Sequence, residues 1–177
     1  MHWVSYWLGG EFLTLASSLF PEGISYVRRV SILFVDKNYC SQDPWRDVLS
    51  ILGSNRDSVI FMTAARSYVM RETDWGKLVM SAGIGESGED AGCTINVGTF
   101  VHEGLNMNGL VDLVRTVTEA KSGALRDLGY ELTGTVSDAV AVGSKVGETS
   151  FAGPGTDLGR RVARDVRLVL REMLGES

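Results

Sequence analysis

The stretch Leu110–Leu128, LVDLVRTVTEAKSGALRDL, decides how this chain folds. Its apolar residues Leu110, Leu113, Val114, Val117, Ala124 and Leu128 recur at steps of three and four, so they share one stripe of a helix. A helix that is apolar on one side only must cover a sheet or another helix. Asn108 precedes the stretch and Gly129 follows it, residue types that open and close helices. The expected helix spans about 109–128.

Outward from it the signals alternate. On the C-terminal side, Asp138–Val146 reads as a strand and Asp157–Leu174 as a second long helix (157–174), with Thr156 as its cap. On the N-terminal side, Thr94–Val101, Lys77–Ser81, Ser58–Met62 and Val27–Val35 are rich in β-branched and apolar residues and read as strands. Trp3–Phe20 reads as a strand or hairpin. Asp43-Pro44 opens a shorter helix over about 44–52, because Asp can cap and proline lacks an N–H that the first turn would leave unbonded. That helix should stop at Gly53. The glycine-rich, polar run Gly83–Gly92 is expected to be a mobile loop. The fold class that follows is α/β or α+β, a mixed β-sheet packed by two long amphipathic helices and a shorter one. No internal repeat or low-complexity linker interrupts 1–177, so one domain is expected.

Composition narrows the function. The 177 residues are 44% hydrophobic and 22% charged, ordinary for a globular chain. A net charge of −5 argues against nucleic acid as a partner. Arg160, Arg161, Arg164, Arg167 and Arg171 concentrate positive charge at helical spacing, which favours a solvated helix face over an anion-binding strip. Two cysteines, Cys40 and Cys93, and two histidines do not make a zinc framework, though one disulfide is compatible with the count. No Lys or Arg precedes the first apolar residues and Glu11 interrupts them, so no signal peptide is expected. No stretch has the length of a membrane span. The expectation is a soluble, cytoplasmic protein, and a homo-oligomer is compatible with it.

Lys121 is the misfit in the long helix. At about 100° per residue it falls inside the apolar stripe, where an ammonium must snorkel out, find a partner, or point into a polar pocket. Glu119 lies nearly opposite, as surface charge or facing another element. Thr133-Gly134-Thr135-Val136-Ser137-Asp138-Ala139 packs hydroxyls and a carboxylate into a turn, which favours backbone capping but also suits a polar ligand. Thr94 and Asn96 share one face of their strand, as a solvent face or a pocket wall. Gly153-Pro154-Gly155-Thr156 precedes the last helix, where a turn with an N-cap is favoured over an anion site. His102 could be a base but sits at a strand end, and no G-x-S-x-G elbow exists.

In order, Thr94-Ile95-Asn96-Val97, Thr118-Glu119-Ala120-Lys121 with Ala124-Leu125, Thr133–Ala139, and Ala152-Gly153-Pro154-Gly155-Thr156 with Gly159 resemble the adenosylcobinamide amidohydrolase family of corrinoid salvage. Met62-Thr63-Ala64-Ala65, Ala82-Gly83-Ile84-Gly85 and Asn38-Tyr39 ahead of Asp43-Pro44 are similar too. The likeness spans roughly 35–172. Residues 1–34 diverge: Ser17-Ser18 and Gly23 match loosely, and Ile32 stands where the family has an asparagine.

The resemblance implies a small hydrolase that cleaves the amide between a corrin propionyl side chain and its aminopropanol arm, giving adenosylcobyric acid. It requires no cofactor of the protein's own and no protein-bound metal, since the cobalt arrives within the corrinoid substrate. On this reading Asp138 or Glu119 is the base that activates water, Thr135 or Ser137, and Asn96 and Lys121 serve the oxyanion. Thr63, Thr94, Gly153, Gly155 and Thr156 contact substrate. The alternatives are a non-catalytic corrinoid-binding or carrier protein, or an amidase acting on another bulky amide.

Overall fold

A computed structural model describes residues 2–53, 57–84 and 94–175. The first strands form a long hairpin, β1 (His2–Ser17) and β2 (Glu22–Phe34). The helix α1 (Pro44–Leu52) follows, then β3 (Ser58–Thr63), β4 (Tyr68–Glu72), β5 (Gly76–Gly83) and β6 (Thr94–Leu105). The chain closes with α2 (Met107–Asp127), β7 (Ala139–Val146) and α3 (Asp157–Gly175). The strands make one seven-stranded mixed sheet in the order β3-β2-β1-β7-β6-β5-β4, with β2/β3 and β6/β7 parallel. The mixed α/β architecture expected from the sequence is therefore what forms.

The sheet is curled rather than flat. On its inner face Phe12, Val30 and Ile32 bury together with Val59 and Phe61 of β3 and with Val79 and Phe100 of β5 and β6. Those strands lie at opposite ends of the sheet order, so only a rolled sheet brings their side chains into one core. A bulge in β1, where the register shifts between Trp7 and Phe12 and Gly9 takes φ 77°, helps the roll. Gly143 makes the inner packing tight: a Cβ there would sit 2.7 Å from Thr14 Oγ1 and 2.8 Å from the Phe100 ring.

The outer face carries the helices. Leu110, Leu113, Val117 and Ala124 of α2, with Val162, Val166 and Leu170 of α3, bury against Leu78, Met80, Ile95, Val97 and Val142. Arg167 clamps the two helices through both carboxylate oxygens of Asp127, each at 2.6 Å. The α1 helix covers the other end through Val48, against Leu33, Val35 and Ile60.

The structure departs from the sequence reading in three places. The long helix starts two residues early, at Met107, and its cap is Asn106, whose Oδ1 accepts from Gly109 N at 3.0 Å. Asn108 is inside the first turn and donates instead to the Ser150 carbonyl. Periodicity misses this turn because Met107 is exposed. Strand β4 was not anticipated. It pairs with β5 across the Thr73–Gly76 turn, which Thr73 Oγ1 closes by accepting from Gly76 N. The N-terminal region is one hairpin whose second strand begins at Glu22, five residues before the expected strand. Most of the Gly83–Gly92 loop and Cys93 lie outside the described residues, while Cys40 is an exposed free thiol.

Candidate functional site

A cavity of about 410 Å³ opens at one end of the rolled sheet, where strand ends from four elements meet. Thr94 and Asn96 of β6, Ser137–Ala139 before β7, Met62–Ala64 at the end of β3, and Val35 and Asp36 after β2 line it. Ser17, Ser18 and Leu19 complete the wall. The hairpin tip reaches this far because Phe20 pairs with Ile60, the Ile60 N–H donating to the Phe20 carbonyl at 2.8 Å. Ser18 Oγ donates to the Phe20 and Pro21 carbonyls and fixes the turn. The divergent N-terminal segment thus supplies part of the wall. Ile32 does not reach it, being buried in the inner core.

Behind the wall lies the ion pair that the misplaced lysine needed. Lys121 Nζ donates to Asp138 Oδ2 at 2.8 Å, and their side chains are only 16% and 11% exposed. Asp138 Oδ2 also accepts from Thr135 N, while Oδ1 accepts from Ile95 N and from the Thr135 hydroxyl. An ionised carboxylate has about four lone-pair sites, and four donors fill them here. The pair tolerates no bulk over it. A Cβ on Gly134 would lie 2.6 Å from both Asp138 Oδ2 and Lys121 Nζ, so only glycine lets the turn cross there.

The hydroxyls are also coupled. Thr94 Oγ1 and Ser137 Oγ are 2.7 Å apart in one hydrogen bond, with Thr94 buried and Ser137 exposed on the cavity side. The Asn96 amide donates to Ser81 Oγ at 2.9 Å and to the Met62 carbonyl at 3.4 Å. That ties β6 to β3 across the roll, and both amide protons are spent on it. Thr63 Oγ1 accepts from Ala65 N. The Tyr39 hydroxyl donates to Asp47 at 2.6 Å, and burial followed by this acceptor raises its phenol above the usual range.

Several expected residues lie elsewhere. Glu119 is exposed on the far side of α2 and pairs with Arg115, lining a separate groove of about 1260 Å³ between α2 and α3. Helix geometry explains this, since two residues are about 200° of turn. Thr135 is committed to Asp138 and does not line the cavity. Gly153, Gly155 and Thr156 form a closed turn and cap: the Gly153 carbonyl accepts from Thr156, and Thr156 Oγ1 accepts from Gly159 N. Gly153 is buried, with the guanidinium of the exposed Arg115 lying over it. His102 is exposed on β6, about 26 Å along the strand from Thr94 at about 3.3 Å per residue. The arginine row of α3 is largely a paired helix face, Arg161 with Asp157 and Asp74, Arg167 and Arg171 with Asp127.

Asp36, Tyr39 and the Ser17–Leu19 segment were missed. The Val35-Asp36 junction, a carboxylate at a strand exit just before Asn38-Tyr39, was the available signal for the first. Among the described residues no cluster of three or more His, Cys, Asp or Glu is arranged to hold a metal, and no helix is long and apolar enough to cross a membrane.

Fold and site together define an α/β protein with a largely apolar cavity at the end of its sheet, carrying a few hydroxyl and carboxylate groups and backed by a shielded ion pair. The chain belongs to the adenosylcobinamide amidohydrolase family, whose model matches residues 2–176. It is thereby placed among amidohydrolase enzymes with a corrinoid as the implied substrate. No curated protein and no solved structure matches it.

Proposed function

We propose that this protein hydrolyses the amide joining a corrin propionyl side chain to its aminopropanol arm in adenosylcobinamide, releasing adenosylcobyric acid and the amino alcohol. The observation that carries the reading is the Thr94–Ser137 hydroxyl couple on the cavity wall with the Lys121–Asp138 pair directly behind it. A cavity of about 410 Å³ takes one arm of the substrate while the macrocycle stays at the mouth. Pro44 on the wall and the neighbouring Trp45, 41% exposed, offer that macrocycle an apolar surface.

An amide resists attack until its carbonyl oxygen is stabilised as negative charge develops on it. The hydroxyl couple places polar groups at the wall. Lys121 neutralises Asp138 from the recess behind the wall and holds it in place. Asp138 acts by holding: it fixes the ammonium, the Thr135 turn and the Ile95 backbone, and so sets where Ser137 points. The cobalt belongs to the substrate and takes no part in this hydrolysis.

Incubating the purified protein with adenosylcobinamide tests the reading. Adenosylcobyric acid in the products supports it. Tight corrinoid binding without product would instead point to a carrier.

A further inference from the structure

We propose that Asp36 is the general base of this site, an inference that rests on the amidohydrolase reading above. Among the described residues three titratable side chains line the cavity: Asp36, Tyr39 and Asp138. A fourth titratable group nearby, Lys121, faces the adjoining recess and is held by Asp138.

A base that takes a proton from water needs an open lone pair facing the reacting carbon. Asp138 has none, because Lys121, Ile95 and Thr135 occupy both oxygens. Tyr39 keeps its proton and directs it at Asp47. Glu119, the other carboxylate considered, faces Arg115 outside the cavity. Asp36 is different. No hydrogen bond or ion pair engages its carboxylate among the described residues, and only its backbone carbonyl is used, accepting from Tyr39 N at 2.9 Å. Its place immediately after β2, whose Phe34 pairs with Thr63, fixes the backbone that presents it on the same wall as Thr63.

The step balances without a co-reactant. Water attacks the amide carbonyl carbon as Asp36 takes one of its protons, and the carbonyl oxygen becomes the oxyanion. When the C–N bond breaks, Asp36 returns that proton to the departing nitrogen. The products are the carboxylic acid and the free amine, which then share a proton according to pH. The hydroxyl couple forms no ester.

The test compares wild type with Asp36→Asn and Asp36→Glu in adenosylcobinamide turnover across pH. Removing a general base typically costs about 10²–10⁴-fold in rate. Asp36→Asn should fall by that factor in kcat with KM little changed, and its kcat/KM profile should lose the acid limb. Asp36→Glu should recover part of the rate and restore the limb. Thermal unfolding of Asp36→Asn should match wild type, since the side chain has no partner among the described residues to lose. Turnover by Asp36→Asn within about threefold of wild type, with the acid limb intact, overturns the assignment while leaving the hydrolase reading standing. Wild-type protein that makes no product overturns both.

Discussion

Replacing Lys121 by methionine and Asp138 by alanine should destabilise the protein unequally, and the order follows from who loses a partner. In Lys121→Met the carboxylate of Asp138 keeps Ile95 N, Thr135 N and the Thr135 hydroxyl and loses one charged donor. A hydrogen bond to a charged group is worth about 1.5–3 kcal/mol, and methionine retains the stem's packing, so the loss should be about 2 kcal/mol. In Asp138→Ala four donors lose their acceptor at once: a shielded ammonium, two backbone N–H groups and the Thr135 hydroxyl. Stranding a buried charge costs about 3–5 kcal/mol. At roughly 2–4 °C per kcal/mol for a chain of this size, Tm should fall about 4–8 °C for the lysine variant and about 6–20 °C for the aspartate variant. Urea unfolding with matched m-values gives the free energies directly, and adenosylcobinamide turnover should fall in both. The reasoning is refuted if Lys121→Met proves as costly as Asp138→Ala, or if both stay within about 0.5 kcal/mol of wild type.

Other outcomes follow from single contacts. Gly134→Ala places a methyl 2.6 Å from both members of the ion pair, so it should cost about 1–3 kcal/mol by overpacking and lower turnover, read by the same unfolding and product assays. Asn96→Ala removes two donors that tie β6 to Ser81 and to β3. A loss of about 1–3 kcal/mol is expected, with a calorimetric scan as the check. The Asp127 carboxyl is held below its ordinary 3.8, chiefly by the Arg167 hydrogen bond. Its contribution is therefore present above the unfolded carboxyl's value and is lost as pH falls through the lower folded one. Asp127→Asn should flatten the acid side of the stability curve, measured as urea midpoints at about pH 6 and about pH 3.

Much of this could be read from residue order because local rules governed it. The α2 stripe, the Thr156 cap and the shared face of Thr94 and Asn96 each depend on spacing alone, and Lys121 betrayed its pocket by sitting where an apolar residue belonged. Roles that depend on what packs alongside were illegible. Whether Asn96 has amide protons to spare depends on Ser81 and Met62, which come from two other strands. At Gly153–Thr156 the favoured reading, a turn with an N-cap, is what forms, but the Arg115 side chain over Gly153 comes from another helix and no spacing shows it. Asp36 stood out only once Asp138 was found to be fully bonded, a count that no sequence displays.

The adjacency of β1 and β7, with Leu13 opposite Ser144 and Ala16 opposite Ala141, sets a schedule for biogenesis. Translation at about 5–20 residues per second puts on the order of ten seconds between the emergence of Ser17 and that of Ala139. For most of that delay the nascent hairpin must carry Leu8, Phe12 and Val27 incompletely covered, since Phe100 emerges late in it and Ala141 only after it. Pairings so distant along the chain are also slow to find. The ribosome-bound protein should therefore be a client for holdase chaperones until its last strand is released.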